Sequence, residues 1–77
     1  MRTEIKINHL GGVMVEGATL VAWLKHEGEV VTKGEKVVTV ETRKITADVV
    51  SPADGILKQR FAAGERVDIE EVIGTIE

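Results

Sequence analysis

The sequence predicts an all-β domain, a sandwich or barrel of short strands built as two similar halves. Three observations carry this: β-rich runs of ordinary strand length, turn signals at close spacing between them, and an internal repeat. Ile5 and Ile7 alternate with polar neighbours and mark a first strand. Residues 19–24 (TLVAWL) and 36–42 (KVVTVET) are the next two runs. Residues 45–50 (ITADVV), 55–58 (GILK) and 72–76 (VIGTI) continue the series. Between them fall Gly11-Gly12, Glu16-Gly17, Glu27-Gly28, Lys33-Gly34, Ser51-Pro52, Asp54-Gly55 and Ala63-Gly64, all turn-forming pairs. No segment sustains a helical period.

The repeat appears when residues 26–41 are laid over 62–77. Gly28, Glu29, Val31, Glu35, Thr39 and Glu41 then meet Gly64, Glu65, Val67, Glu71, Thr75 and Glu77, six identities in sixteen positions. Two units fit a closed sandwich related by a pseudo-two-fold axis, whereas a solenoid needs three or more. The second unit stops at Glu77, while the first continues through Thr42-Arg43-Lys44 into another strand. The Arg43-Lys44 pair is therefore expected at the tip of a hairpin, exposed and held by its flanking strands.

Composition narrows the function. Seventy-seven residues make one domain, 1–77, with a small core. A net charge of -3 argues against nucleic acid as a partner, which usually requires a basic face. No apolar run approaches the roughly 18 residues of a membrane span, and the first residues lack a signal-peptide core. A soluble, intracellular chain is expected. Without cysteine there is no disulfide framework and no thiolate metal site. His9 and His26 stand alone, so no metal site is expected. Ser51 precedes Pro52 and reads as a turn, and the scattered carboxylates read as solvated faces without an acid/base pair. Trp23 and Phe61 are too few for base stacking, and Trp23 reads as core. Catalytic residues: none. The chain is not expected to be an enzyme by itself.

Lys44, one of six lysines, would pass for a solvated turn residue but for its surroundings. The run Glu41-Thr42-Arg43-Lys44-Ile45 leading to Ser51-Pro52-Ala53-Asp54-Gly55 resembles the lipoyl-attachment motif, Glu-Thr-Asp-Lys-Ala/Val followed by a strand and Ser-Pro-x-x-Gly. Leu10-Gly11-Gly12-Val13-Met14-Val15-Glu16-Gly17 is similar to the family's Leu-Gly-x-x-Met-x-Glu-Gly loop. Trp23-Leu24-Lys25-His26-Glu27-Gly28-Glu29 and Val31-Thr32-Lys33-Gly34-Glu35 match its Trp-Leu-x-x-Glu-Gly-Asp and Val-x-x-Gly-Asp segments. The chain thus resembles the lipoyl domains of dihydrolipoamide acyltransferases in 2-oxo acid dehydrogenase-type complexes.

That resemblance implies a flattened barrel of two four-stranded antiparallel sheets with quasi-two-fold symmetry, a barrel-sandwich hybrid. It implies lipoate joined by an amide to Lys44, with Glu41, Thr42, Arg43 and Ile45 in support. It also implies partner recognition by Leu10, Gly11, Met14, Glu16 and Arg43. The lysyl-lipoyl arm would reach roughly 14 Å when extended, at ~1.25 Å projected per bond. It would shuttle acyl groups and reducing equivalents between active sites of a 2-oxo acid or acetoin dehydrogenase complex. The implied partners are a lipoate ligase or lipoyl transferase, a thiamin-dependent dehydrogenase component, an acyltransferase catalytic domain and dihydrolipoamide dehydrogenase. The location would be the bacterial cytoplasm, or the mitochondrial matrix in a eukaryote. Because no Ala/Pro-rich linker follows Glu77, a piece of a longer acyltransferase is a further expectation.

Two positions depart from the family pattern: Arg43 stands where Asp is usual, and Asn8 where Pro is usual. The nearest alternative is a biotinyl carrier domain of a carboxylase, which shares the fold but places Met on both sides of its lysine. The glycine-cleavage H-protein is also lipoylated, but is longer and carries extra helical structure. An unmodified β-sandwich interaction module is the third alternative.

Overall fold

A computed structural model describes residues 2–7, 17–43, 45–68 and 70–77. Among them are eight strands: β1 (Thr3–Lys6), β2 (Gly17–Trp23), β3 (Val30–Val31), β4 (Lys36–Glu41), β5 (Thr46–Val50), β6 (Gly55–Gln59), β7 (Arg66–Asp68) and β8 (Val72–Ile76). They form two antiparallel four-stranded sheets, in the orders β1-β8-β6-β3 and β5-β4-β2-β7. The two layers face one another as a sandwich, not as a closed barrel.

The repeat is the symmetry of this sandwich. Exchanging β1, β8, β6 and β3 for β5, β4, β2 and β7 maps one sheet order onto the other. Three of its aligned pairs lie in the core: Val31 with Val67, Val37 with Ile73, and Val40 with Ile76 are all buried. Backbone bonds repeat as well. Gly28 N–H donates to the Leu57 carbonyl and Leu57 N–H to that of Glu29; Gly64 N–H and Leu20 N–H do the same with Leu20 and Glu65. Gly28 and Gly64 take φ of +83° and +92°, a left-handed conformation that favours glycine.

The aligned glutamates also acquire a reason. Glu29, Glu35, Glu65 and Glu71 each accept a hydrogen bond from the backbone N–H three residues earlier, on His26, Thr32, Ala62 and Asp68. Each of these glutamates returns its own N–H to the carbonyl of that same residue. Four turns are therefore closed by a carboxylate. The expectation of merely solvated carboxylates is corrected at these positions, where the side chain replaces a backbone acceptor.

Other differences are local. β3 and β7 span two and three residues, too few to show a period in the sequence, and they are held by distant partners, β6 and β2. Gly17, expected in a turn, is the first residue of β2. A β-carbon there would lie 2.9 Å from the Val67 carbonyl oxygen, so close approach to β7 favours glycine. Trp23, expected in the core, is only partly buried. It packs against the rim of the aliphatic cluster and donates from Nε1 to the Phe61 carbonyl at 2.8 Å. The symmetry breaks there: opposite Val38 in the repeat stands Gly74, where a β-carbon would lie 2.8 Å from the Lys58 carbonyl oxygen and 3.2 Å from the Trp23 ring.

Candidate functional site: the β4–β5 hairpin

The hairpin joining β4 to β5 has five register pairs: Lys36 with Val50, Val38 with Val49, Thr39 with Asp48, Val40 with Ala47 and Glu41 with Thr46. Its inward residues, Val37, Val38, Val40 and Val49, are fully buried, which fixes the strand register because a one-residue slip would expose them. On the outward face Thr39 Oγ1 donates to Asp48 Oδ1 at 2.7 Å, and Lys36 Nζ lies 3.6 Å from Asp48 Oδ2. The base of the hairpin is thus anchored in the core by its buried face. Among the described residues the other half of the molecule has no such hairpin. There β1 pairs with β8 across the chain ends, Thr3 opposite Ile76.

At the tip, Thr42 N–H donates to the Ile45 carbonyl at 2.7 Å. Thr42 Oγ1 lies 3.1 Å from both the carbonyl oxygen and the nitrogen of Ile45, donating to the first and accepting from the second. Arg43 is exposed, and Ile45 is 36% exposed despite being a large aliphatic residue. Glu41, Thr42, Arg43, Ile45 and Thr46 line a shallow open depression of about 410 Å³. Register continues the outward row across the sheet, from Thr46 and Glu41 to Thr19 and Arg66.

The structure therefore places Glu41, Thr42, Arg43 and Ile45 together around the hairpin tip. Lys44 lies outside the described residues, as do Leu10, Gly11, Met14 and Glu16 of the expected recognition loop. Asn8 and His9 lie outside them too, whereas His26 is exposed in the turn closed by Glu29. Ser51 is buried, and its hydroxyl donates to the Ala53 carbonyl in the turn between β5 and β6. Among the described residues no cluster of side chains is arranged to hold a metal ion. No helix among them is long and apolar enough to cross a membrane.

One ion pair has electrostatic consequences. Lys25 Nζ lies 2.8 Å from Glu35 Oε2 and 3.9 Å from Glu29 Oε2. The hydrogen bond from Lys25, with that from the Thr32 backbone, holds the Glu35 carboxyl below its usual range, and the hydrogen bond to Glu35 raises Lys25. These groups belong to the turns at the sheet ends and not to the hairpin tip.

Comparison with known proteins agrees with the fold. The family described as "Biotin-requiring enzyme", the biotin/lipoyl family, matches residues 3–76. The chain is 36% identical over 74 residues to the dihydrolipoyllysine-residue succinyltransferase component of the 2-oxoglutarate dehydrogenase complex of Staphylococcus saprophyticus. That match covers 95% of this chain and 17% of the relative. A Schizosaccharomyces pombe chain, described as the probable mitochondrial counterpart, is 40% identical over 97% of this chain and 17% of its own length. The chain therefore spans about a sixth of the length of these relatives. Among solved structures, the lipoyl domain of the 2-oxoglutarate dehydrogenase complex of Azotobacter vinelandii aligns with a TM-score of 0.70 at 27% identity, covering 95% of each chain.

Proposed function

The chain belongs to the biotin/lipoyl family, and on that premise we propose that it is a lipoyl carrier domain whose acceptor is Lys44. The observation that carries the proposal is the β4–β5 tip: a turn closed at Thr42 and Ile45, with exposed neighbours on a rigid hairpin, spanning position 44 in the chain. The relatives named above are dihydrolipoyllysine-residue proteins, which favours lipoate over biotin as the attached group.

The surroundings suit an amide-tethered arm. Arg43 and Ile45 face solvent and the adjoining depression is open, so the described residues leave the acyl chain free to extend. When attached, lipoate would supply a redox-active disulfide able to carry acyl groups and electrons. The protein's own part is position. The buried valines and the Thr39–Asp48 bond keep the tip from yielding, so that motion belongs to the arm and to any tether beyond the domain. Such tethering raises the effective concentration of the carried group at each active site. The lipoate ligase or transferase, the thiamin-dependent dehydrogenase, the acyltransferase catalytic domain and dihydrolipoamide dehydrogenase are the proposed partners, meeting Arg43 and the segment 10–16. The proposed setting is a 2-oxo acid or acetoin dehydrogenase complex, in bacterial cytoplasm or mitochondrial matrix.

Co-expression with a lipoate ligase, followed by intact-mass and peptide mapping, tests this. The expected result is one lipoyl adduct on Lys44 and none in Lys44→Arg. A biotinyl adduct, an unmodified wild-type chain, or an adduct persisting in Lys44→Arg would overturn it.

A further inference from the structure

We infer that the Thr42 hydroxyl is a positioning group that sets how the hairpin tip presents the acceptor residue, an inference that rests on the carrier reading above. Two-residue hairpin loops usually adopt type I′ or II′ turns, whose backbone twist matches the flanking strands. Both types require positive φ at the first central residue, here Arg43. Among the described residues no non-glycine residue has positive φ, Arg43 included, so this tip is neither. Other turn types splay the strands they join.

The Thr42 side chain answers that mismatch. In a twist-matched hairpin the N–H of Ile45 would bond to the Thr42 carbonyl. Here it donates to Thr42 Oγ1 at 3.1 Å, and the same hydroxyl lies 3.1 Å from the Ile45 carbonyl oxygen. With the Thr42 N–H bond to that carbonyl at 2.7 Å, both backbone polar groups of Ile45 are tied to one residue. A side chain thus closes a loop whose central pair, Arg43-Lys44, lacks the glycine or asparagine that would close it by backbone alone. The turn is thereby closed without a strained conformation at Arg43. Thr42→Ser keeps the hydroxyl; Thr42→Val keeps the branched shape and removes it.

The test compares these two variants with wild type in amide exchange at Ile45, in lipoate-ligase kcat/KM and in melting midpoint. Losing the bond should speed Ile45 exchange and lower kcat/KM about five-fold in Thr42→Val, which is about 1 kcal/mol at 1.36 kcal/mol per tenfold. Thr42→Ser should stay near wild type in both, and because the hydroxyl sits at a tip outside the core, Thr42→Val should lower the melting midpoint by less than the roughly 4–8 °C that 1 kcal/mol would cost the whole domain. Unchanged Ile45 exchange in Thr42→Val would overturn the inference, as would equal loss of ligase turnover in the Ser and Val variants. So would a fall in melting midpoint with core amides exchanging as much faster as Ile45, since the hydroxyl would then hold the fold and not the tip. If wild type takes no lipoyl group, the carrier reading fails, while Ile45 exchange still reports on the turn.

Discussion

Replacing Trp23 separates two contributions at the rim of the sandwich. The ring is partly buried against the aliphatic cluster and fills the space left by Gly74, while Nε1–H bonds to the Phe61 carbonyl at 2.8 Å. A tryptophan can bury up to ~250 Å². Losing roughly 120–150 Å² of contact at ~25 cal/mol/Å² costs about 3–4 kcal/mol. Because the site opens to solvent, water can enter the gap in Trp23→Ala and little cavity penalty is added. Trp23→Phe keeps most of the apolar contact and loses the indole donor, a change of about 1 kcal/mol. A domain of 77 residues has a total stability of about 4–12 kcal/mol, so Trp23→Ala should remove about a quarter of it or more while Trp23→Phe leaves most of it. Urea titration followed by far-ultraviolet circular dichroism gives both numbers, since the single tryptophan that would report by fluorescence is the residue removed. A loss below about 1 kcal/mol in Trp23→Ala would refute the packing argument. Equal losses in both variants would assign the effect to the hydrogen bond instead.

Three further outcomes follow from charge. The Glu35 carboxyl is depressed below its ordinary 4.5 by Lys25 and the Thr32 N–H, so its stabilising effect is complete above that value and is lost as pH falls through the depressed value. Glu35→Gln should therefore flatten the acid side of a stability–pH profile below about 4.5, and an unchanged acid limb would contradict the assignment. On the alkaline side, the raised Lys25 contributes fully below its ordinary 10.5 and fades as pH climbs through its folded value. At the tip, exposed Arg43 makes no ion pair among the described residues, so Arg43→Asp reverses two charge units without disturbing the fold. Lipoylation should persist, while reductive acylation by a given dehydrogenase should change in rate, with a difference that shrinks as salt shortens the ~8 Å screening length. Identical rates with cognate and non-cognate dehydrogenases across a salt series would make Arg43 neutral.

The legible part of this protein was whatever repeats along the chain. Alternation of buried and exposed side chains is a local property, so six strands could be read directly, and residues 36–42 and 45–50 appear as β4 and β5. The repeat was legible for the same reason: Val31, Val37 and Val40 recur as Val67, Ile73 and Ile76 because both halves must fill one core. The motif around residues 41–45 likewise falls on the turn between β4 and β5.

Tertiary structure decided what depends on partners far along the chain. β3 and β7 exist only because β6 and β2 supply their hydrogen bonds, and β1 completes its sheet by pairing with β8 at the opposite end of the sequence. Trp23 lies at the rim beside Gly74, fifty-one residues later, where a side chain would crowd both the ring and the Lys58 carbonyl. The glutamates of the repeat close turns, and the Thr42 hydroxyl closes the tip, through bonds set by backbone geometry that residue type alone does not specify. Sequence carries side-chain chemistry and its period; which donor meets which acceptor depends on distances that exist only once the two sheets have closed on each other.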